Sequence, residues 1–219
     1  MVSHGNRTGI LMLALAVLSV GCSATRAVNK APAESEFLVD HSGMQKNRDF
    51  PAAFVYVKPD VQWGKYSAIE VESVGVHVTD TSTGPSPEEQ TILAGMLYNT
   101  MTEELGKYFD LVTTPAPNAL RVRTAWNQAP NEIAYGWAIP HVRMTADVRD
   151  SVSGERLAAA VDQRAERKGP FGRNSHERWS LVQPGIDYWS KRCAWHLWRL
   201  GVQLKPGAAP PEKQETSIF

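Results

Sequence analysis

Apolar and polar residues alternate with period two in several stretches of the chain, and each stretch predicts a strand. In residues 67–79, Ile69 and Val71 alternate with Glu70 and Glu72, and Val74, Val76 and Val78 continue on even positions. The change of parity near Ser73 predicts a bulge that returns both halves to one buried face. Leu111 and Val112 form a short run that stops at Pro115. Leu120, Val122, Thr124 and Trp126 then alternate with Arg121 and Arg123. Val142, Met144, Ala146 and Val148 alternate with Arg143, Thr145, Asp147 and Arg149. Leu157, Ala159 and Val161 follow a connection, residues 150–154, suited to a hairpin. Strands with one apolar and one polar side are the pattern of an antiparallel sheet with a solvated face.

Two stretches carry the helical period instead. Ser86-Pro87-Glu88-Glu89 combines a capping serine, a proline suited to the first turn and a glutamate that completes a capping box. The helix it opens is predicted to reach Tyr108, with Leu93, Met96, Leu97, Met101, Leu105 and Tyr108 as its core stripe. A second helix is predicted over residues 186–204. Ile186, Trp189, Cys193, Leu197, Leu200 and Leu204 fall on one side, and Tyr188, Trp195, Trp198 and Val202 on the opposite side. For Trp195 and Trp198, burial in the core and exposure as a docking surface both fit the pattern. Together these elements predict a single α+β domain: an antiparallel sheet of about four or five strands with two helices packed on one face.

Residues 10–22 break both periods. They are an apolar run that ends in Gly21-Cys22, after a leader whose firm positive charge is Arg7. A core of this length is too short to span a bilayer, which takes roughly 20 apolar residues, but suits a secretory signal. Leu18-Ser19-Val20-Gly21-Cys22 resembles a bacterial lipobox, in which the cysteine is diacylglycerol-modified and the chain is cut before it. The resemblance implies lipidation of Cys22, a signal peptide over residues 1–21 and a lipid anchor to a membrane. Ser23 is not the aspartate that holds such proteins in the inner membrane, which favours the outer membrane, facing the periplasm. Residues 22–35 then read as the lipidated cysteine and a flexible tether, 36–204 as the domain, and 205–219, with Pro206, Pro210 and Pro211, as a disordered tail.

Segments within residues 36–204 resemble a family of bacterial lipoproteins known as domain of unknown function 3313. Glu36-Phe37-Leu38-Val39-Asp40-His41-Ser42 follows the family's Gly-Phe-Leu-x-Asp-Tyr-Ser pattern, departing from it at Glu36 and His41. Tyr66 leads the first strong strand, as in the family, and Asp150-Ser151-Val152-Ser153-Gly154-Glu155 matches its Asp-Ser-x-x-Gly-Glu hairpin. The resemblance implies an envelope lipoprotein and a fold, without an established activity.

Composition and motifs narrow the chemistry. The 219 residues hold 23 basic and 23 acidic side chains, so no bulk charge points to nucleic acid. Cys193 has no intramolecular partner once Cys22 is lipidated, and reads as a small buried hydrophobe. His41, His77, His141, His176 and His196 do not pair at metal-binding spacings. Cys193 and His196 are three apart but lack a visible third ligand. No nucleophile elbow, Cys-x-x-Cys or phosphate loop occurs, and Glu88-Glu89 and Glu103-Glu104 read as a cap and a solvated face. No catalytic residue, metal or cofactor is assigned.

Two features remain as contacts for a partner. One is the arginine array Arg121, Arg123, Arg143 and Arg149 on the polar side of the sheet, with Asp147 and Asp162 expected on or near that face. The other is the aromatic set, above all Tyr135 and Trp137 in a loop expected over residues 127–140. The expectation is a non-catalytic, lipid-anchored interaction module for an envelope protein or cell-wall polymer. Two alternatives stand beside it. One is an envelope hydrolase in which His141 or His176 meets a carboxylate and a hydroxyl. The other is a carrier of a small apolar ligand beneath the last helix.

Overall fold

The computed structural model of the chain describes residues 25–27, 43–46, 53–72, 75–78, 86–134, 137–166 and 182–214. Among these residues nine strands form one mixed sheet: β1 (Thr25–Ala27), β2 (Gln45–Lys46), β3 (Ala53–Val57), β4 (Ala68–Val71), β5 (Gly75–Val78), β6 (Asp110–Val112), β7 (Ala119–Ala134), β8 (Trp137–Asp150) and β9 (Arg156–Glu166). The helices are α1 (Pro87–Tyr108) and α2 (Val182–Leu200). Across the sheet the order is β2-β3-β9-β8-β7-β4-β6, with β1 also beside β9 and β5 beside β7.

The expected antiparallel sheet of four or five strands is therefore incorrect. β7, β8 and β9 form an antiparallel meander, but β4 pairs in parallel with both β6 and β7, and β5 pairs in parallel with β7. The reason is the crossover. α1 carries the chain back along the sheet between β5 and β6, so the strands on either side of it run the same way. Alternation reports which side of a strand is buried but not the direction of its neighbour. Strands of two or three residues, such as β1, β2 and β6, are too short to display a period at all.

The parity change near Ser73 has a counterpart in the register. Val71 lies opposite Val122 and Gly75 opposite Ala125, so four steps along this strand face three along β7. The extra residue lets Ile69 and the later Val76 both meet the core.

Both helices contribute to one core. The Ser86 side chain accepts from the Glu89 N–H at 3.2 Å, and the Glu89 carboxylate accepts from the Ser86 N–H at 2.7 Å, completing the expected box. From that start α1 buries Leu93, Leu97, Met101 and Leu105 against Ile69, Leu120, Val122 and Trp126 of the sheet and Ile186, Trp189 and Leu197 of α2. Glu104, expected on a solvated face, is buried and receives the Lys107 ammonium at 2.6 Å.

α2 ends earlier than its apolar pattern, which runs on to Leu204. Gly201 takes φ +107°, its N–H donates to the Trp198 carbonyl at 2.9 Å, and the Val202 N–H donates to the Leu197 carbonyl at 3.1 Å. These two bonds satisfy the last carbonyls of the helix, and the left-handed turn is open to glycine without steric cost. Val202 is still buried beside Leu197, so the apolar period survives the end of the helix.

The segment after the helix corrects the disordered tail expected from residue 205. The Gln203 N–H donates to the Tyr66 carbonyl at 2.9 Å and the Lys205 N–H to the Tyr108 carbonyl at 2.8 Å, while the Lys205 ammonium meets the Gly106 carbonyl. Pro211 is buried, and the Lys213 ammonium lies 5.6 Å from the Trp195 ring centroid. This segment meets the second apolar side of α2. Truncation after Leu204 is expected to lower the unfolding free energy by about 1–3 kcal/mol, for one backbone hydrogen bond and the burial at Pro211. Urea denaturation of the two proteins checks this, since loss of a disordered tail would leave the midpoint where it was.

Candidate functional site

The register of β7 and β8 assembles the arginine array. Arg121 lies opposite Arg149 and Arg123 opposite Asp147, which places these side chains on one face of the sheet. Glu70 of β4 and Glu72 just after it supply carboxylates beside them. Arg121 donates to Glu70 from Nε at 3.0 Å and from Nη2 at 3.4 Å, and Arg123 donates to Glu72 at 2.8 Å. Asp147, fully buried, takes Arg149 on one oxygen at 2.7 Å and Arg156 on the other at 2.9 Å, with Arg123 at 3.6 Å. A carboxylate removed from water is tolerated only where charge and hydrogen bonds replace the lost hydration, and Asp147 has both. The arginines are thus committed to glutamates and an aspartate of their own sheet. Arg143, expected on the same exposed array, is 7% exposed, and burial lowers its pKa. Further along this face Met44 and Tyr56 cover Ala159 and Val161, forming a small second core where open solvent was expected.

Asp162 corrects another expectation. It lies opposite Met144, a residue of the main core, so it faces the helices and not the arginine array. A register shift between Val148 and Arg149 separates the hairpin from the rest of β9. Beyond it Ala158 turns to the helices, and Ala159 and Val161 to the other face. On the helix side Asp162 accepts from Trp189 Nε1 at 2.9 Å and from Arg192 Nη1 at 2.9 Å. All three residues are buried. Sequence reasoning missed this cluster. Its signal is a charged residue of α2, Arg192, sitting next to the apolar stripe through Trp189 and Cys193.

The hairpin after β8 is a joint between segments far apart in sequence. Asp150 Oδ1 accepts from the N–H groups of Val152 and Ser153, and Gly154 closes the turn at φ +71°. Oδ2 accepts from the Tyr66 hydroxyl at 2.8 Å and from the Lys65 ammonium at 3.4 Å. Burial alone would raise the Asp150 carboxyl. The hydrogen bonds from Ser153, Tyr66 and Lys65 outweigh it and hold the group well below the usual carboxylate range. Ser151 Oγ donates to the Ala116 carbonyl at 2.9 Å and accepts from its N–H at 3.0 Å, which ties the β6–β7 connection to the hairpin. Glu155 pairs with Lys58. The residues on which the resemblance rests here, Tyr66, Asp150, Ser151 and Glu155, hold backbone and neighbouring strands together.

On α2, Trp195 is 8% exposed, stacked edge-on against His196 at 5.0 Å and flanked by Arg199 and Lys213. Trp198 is partly buried beside it. Cys193 packs against the main core, and burial pushes its thiol up to about 12, far from the thiolate a nucleophile needs. Among the described residues no three His, Cys, Asp or Glu side chains gather as a metal site, and no helix is long and apolar enough to cross a membrane. Cys22, residues 36–42, Tyr135, His176 and Trp179 lie outside the described residues. Trp137, His77 and His141 lie in strands, and the loop expected over residues 127–140 is instead the far end of the β7–β8 ribbon, through Ala134 and from Trp137.

Comparison with known proteins bears out the family resemblance for residues 33–129, whereas the hairpin of residues 150–155 lies outside the match. The family model described as protein of unknown function DUF3313 matches residues 33–129. No curated protein matches the chain. Among solved structures, a Xanthomonas campestris protein of the DUF330 family is 10% identical, with a TM-score of 0.42 over 65% of this chain and 91% of that one. A minor lipoprotein from Acinetobacter baumannii is 11% identical, with a TM-score of 0.35 over 64% and 98%. The lipoprotein GNA1162 from Neisseria meningitidis is 13% identical, with a TM-score of 0.32 over 55% and 96%.

The Asp150 joint and the buried Asp162–Arg192 pair each have testable consequences. Because the Asp150 carboxyl is depressed in the folded state, its contribution is complete above the unfolded carboxyl's pKa of about 3.9 and is lost as the pH falls below it. Asp150→Asn is expected to flatten the loss of stability between about pH 4 and pH 2, and Tyr66→Phe to cost about 1.5 kcal/mol at neutral pH. Denaturant midpoints across that range check both. Arg192→Met is expected to cost about 3–5 kcal/mol by leaving the buried Asp162 charge without its cation. Adding Asp162→Asn should restore part of this, since the uncharged amide oxygen still accepts from Trp189.

Proposed function

From the match of residues 33–129 to DUF3313, we propose that the protein is a lipid-anchored, non-catalytic interaction module of the bacterial envelope, attached through Cys22 and facing the periplasm from the outer membrane. The observation that carries this reading is the apolar run ending in Gly21-Cys22, followed three residues later by a strand, Thr25–Ala27, that joins the domain's own sheet. In this reading the lipidated residue lies three positions before a strand of the domain. The occupation of the charged groups supports it as well. Asp147, Asp150, Asp162, Glu70 and Glu72 each accept from basic side chains of the same domain, as components of its architecture.

The partner surface in this reading is the aromatic hairpin end around Trp137, ahead of the arginine face. Arg121, Arg123 and Arg149 already have carboxylates, so an acidic partner would have to displace Glu70, Glu72 or Asp147. The partner itself is an envelope protein, a cell-wall polymer or the membrane. Cys22→Ser is expected to abolish incorporation of labelled palmitate and to release the protein from the membrane fraction. Undiminished labelling of the variant would reject the anchor.

A further inference from the structure

The chain after α2 changes character at Pro206-Gly207. Up to that point its backbone is bound to the domain, through the Gln203 N–H on the Tyr66 carbonyl and the Lys205 N–H on the Tyr108 carbonyl. The Lys205 carbonyl then accepts from the Ala208 N–H at 3.1 Å, with Gly207 at φ +81°. Proline followed by a glycine of positive φ, closed by that bond, is a type II turn, and it folds the chain back. Beyond Ala208 no backbone hydrogen bond joins the segment to the other described residues. Side chains hold it instead. Pro211 is buried, and the Lys213 ammonium lies 5.6 Å from the Trp195 ring centroid.

The seat of this segment is aromatic and lies off the main core. Among the described residues Trp195 packs with Trp198 in a cluster of its own, on the side of α2 turned away from Ile186 and Leu197. Arg199 also lies 5.6 Å from the Trp195 ring, so one cation from the helix and one from the segment share a single indole. Lifting the segment would return apolar surface of that indole to water. A proline-bearing chain without backbone bonds to its seat, laid on tryptophan, is the form in which proline-rich segments are recognised between proteins. Residues 208–214 therefore sit on α2 as a ligand does, tethered through one turn.

We infer that the outer side of α2, built on Trp195 and Trp198, is a recognition site for residues 208–214, and that it takes them from a second copy of this chain, the two copies exchanging segments, when the turn at Gly207 opens. The second copy is the occupant because its segment is the one the structure shows to fit: a buried proline followed by a lysine over the indole. Exchange remakes the same contacts at both seats and closes a two-fold dimer. The turn sets the balance. Within one chain the segment reaches its seat through the closed Lys205–Ala208 turn, and its high effective concentration there favours the monomer. Between copies the hinge is extended, and residue 207 no longer needs a positive φ.

The test mixes two full-length chains, both with Cys22→Ser and Cys193→Ala. One carries Lys213→Cys and the other Arg199→Cys, and a short bismaleimide joins thiols that meet at one Trp195 ring. A single chain with both cysteines is expected to be joined within itself. Failure there would show that the segment has another seat and would overturn the inference. In the mixture the expected product is a joined heterodimer. Gly207→Val in the Lys213→Cys chain should raise its yield severalfold. Nothing lies within 4 Å of where a side chain at 207 would stand, so that substitution strains the closed turn and touches nothing else. Pro211→Asp in the same chain should remove the heterodimer. A yield that Gly207→Val leaves unchanged, or that survives Pro211→Asp, rejects exchange and leaves residues 208–214 as a fixed cover of their own helix.

Discussion

Everything on this sheet depends on the register of its three long antiparallel strands. The β7–β8 ladder runs from Leu120↔Asp150 to Ala134↔Trp137, and β9 continues it on the other side of β8. In a strand of period two, a slip of one residue exchanges the two faces. Here such a slip would drive Asp147, with its arginines, under α1 and α2, and put Met144 and Val148 into water. The charged residues act as register devices as much as the apolar ones. Asp147 is acceptable where Arg123, Arg149 and Arg156 converge, and Asp162 where Trp189 and Arg192 reach it from α2.

The two buried aspartates solve one problem on opposite faces. On the helix side Asp162 joins α2 to the sheet through an ion pair and an indole donor, in a core built mainly of Leu, Ile, Val, Met and aromatic side chains. On the other side Asp147 is the centre of a network that extends through Arg123 to Glu72 and through Arg121 to Glu70. A buried pair is a weak source of net stability, because desolvation offsets much of its attraction, but its loss on one side is costly. Both clusters thus penalise incorrect packing more strongly than they reward the correct one. The hairpin joint has the same character: Tyr66, Asp150 and Ser151 join the start of β4, the end of β8 and the loop before β7 at one corner of the sheet.

How legible this was differs from element to element. The capping box and stripe of α1 were plain, because capping is local and the helical period is long enough to register over 22 residues. The bulge after Val71 was visible as a change of parity. The arginines were visible as a row, but not their carboxylates on β4, since a parallel neighbour contributed by a crossover leaves no trace in spacing. Asp162 was assigned to the wrong face because a bulge beside Arg149 changes the parity of β9, and nothing local marks it. The order of residues 205–214 was hidden too. Proline, alanine and charge read as disorder until Tyr108 and Trp195 are in place to receive Lys205 and Lys213.

The sequence by itself determined the apolar run ending at Cys22, the two faces of β7 over residues 120–126 and of β8 over residues 143–149, and the start of α1, because each depends on neighbours within a few residues. Only the tertiary structure decided the parallel pairing of β4, the partners of Asp147 and Asp162, and the burial of Trp195 beside Lys213. Those facts join residues tens of positions apart. Their cause is the desolvation of charge and the closing of a sheet, and neither acts until the chain has folded.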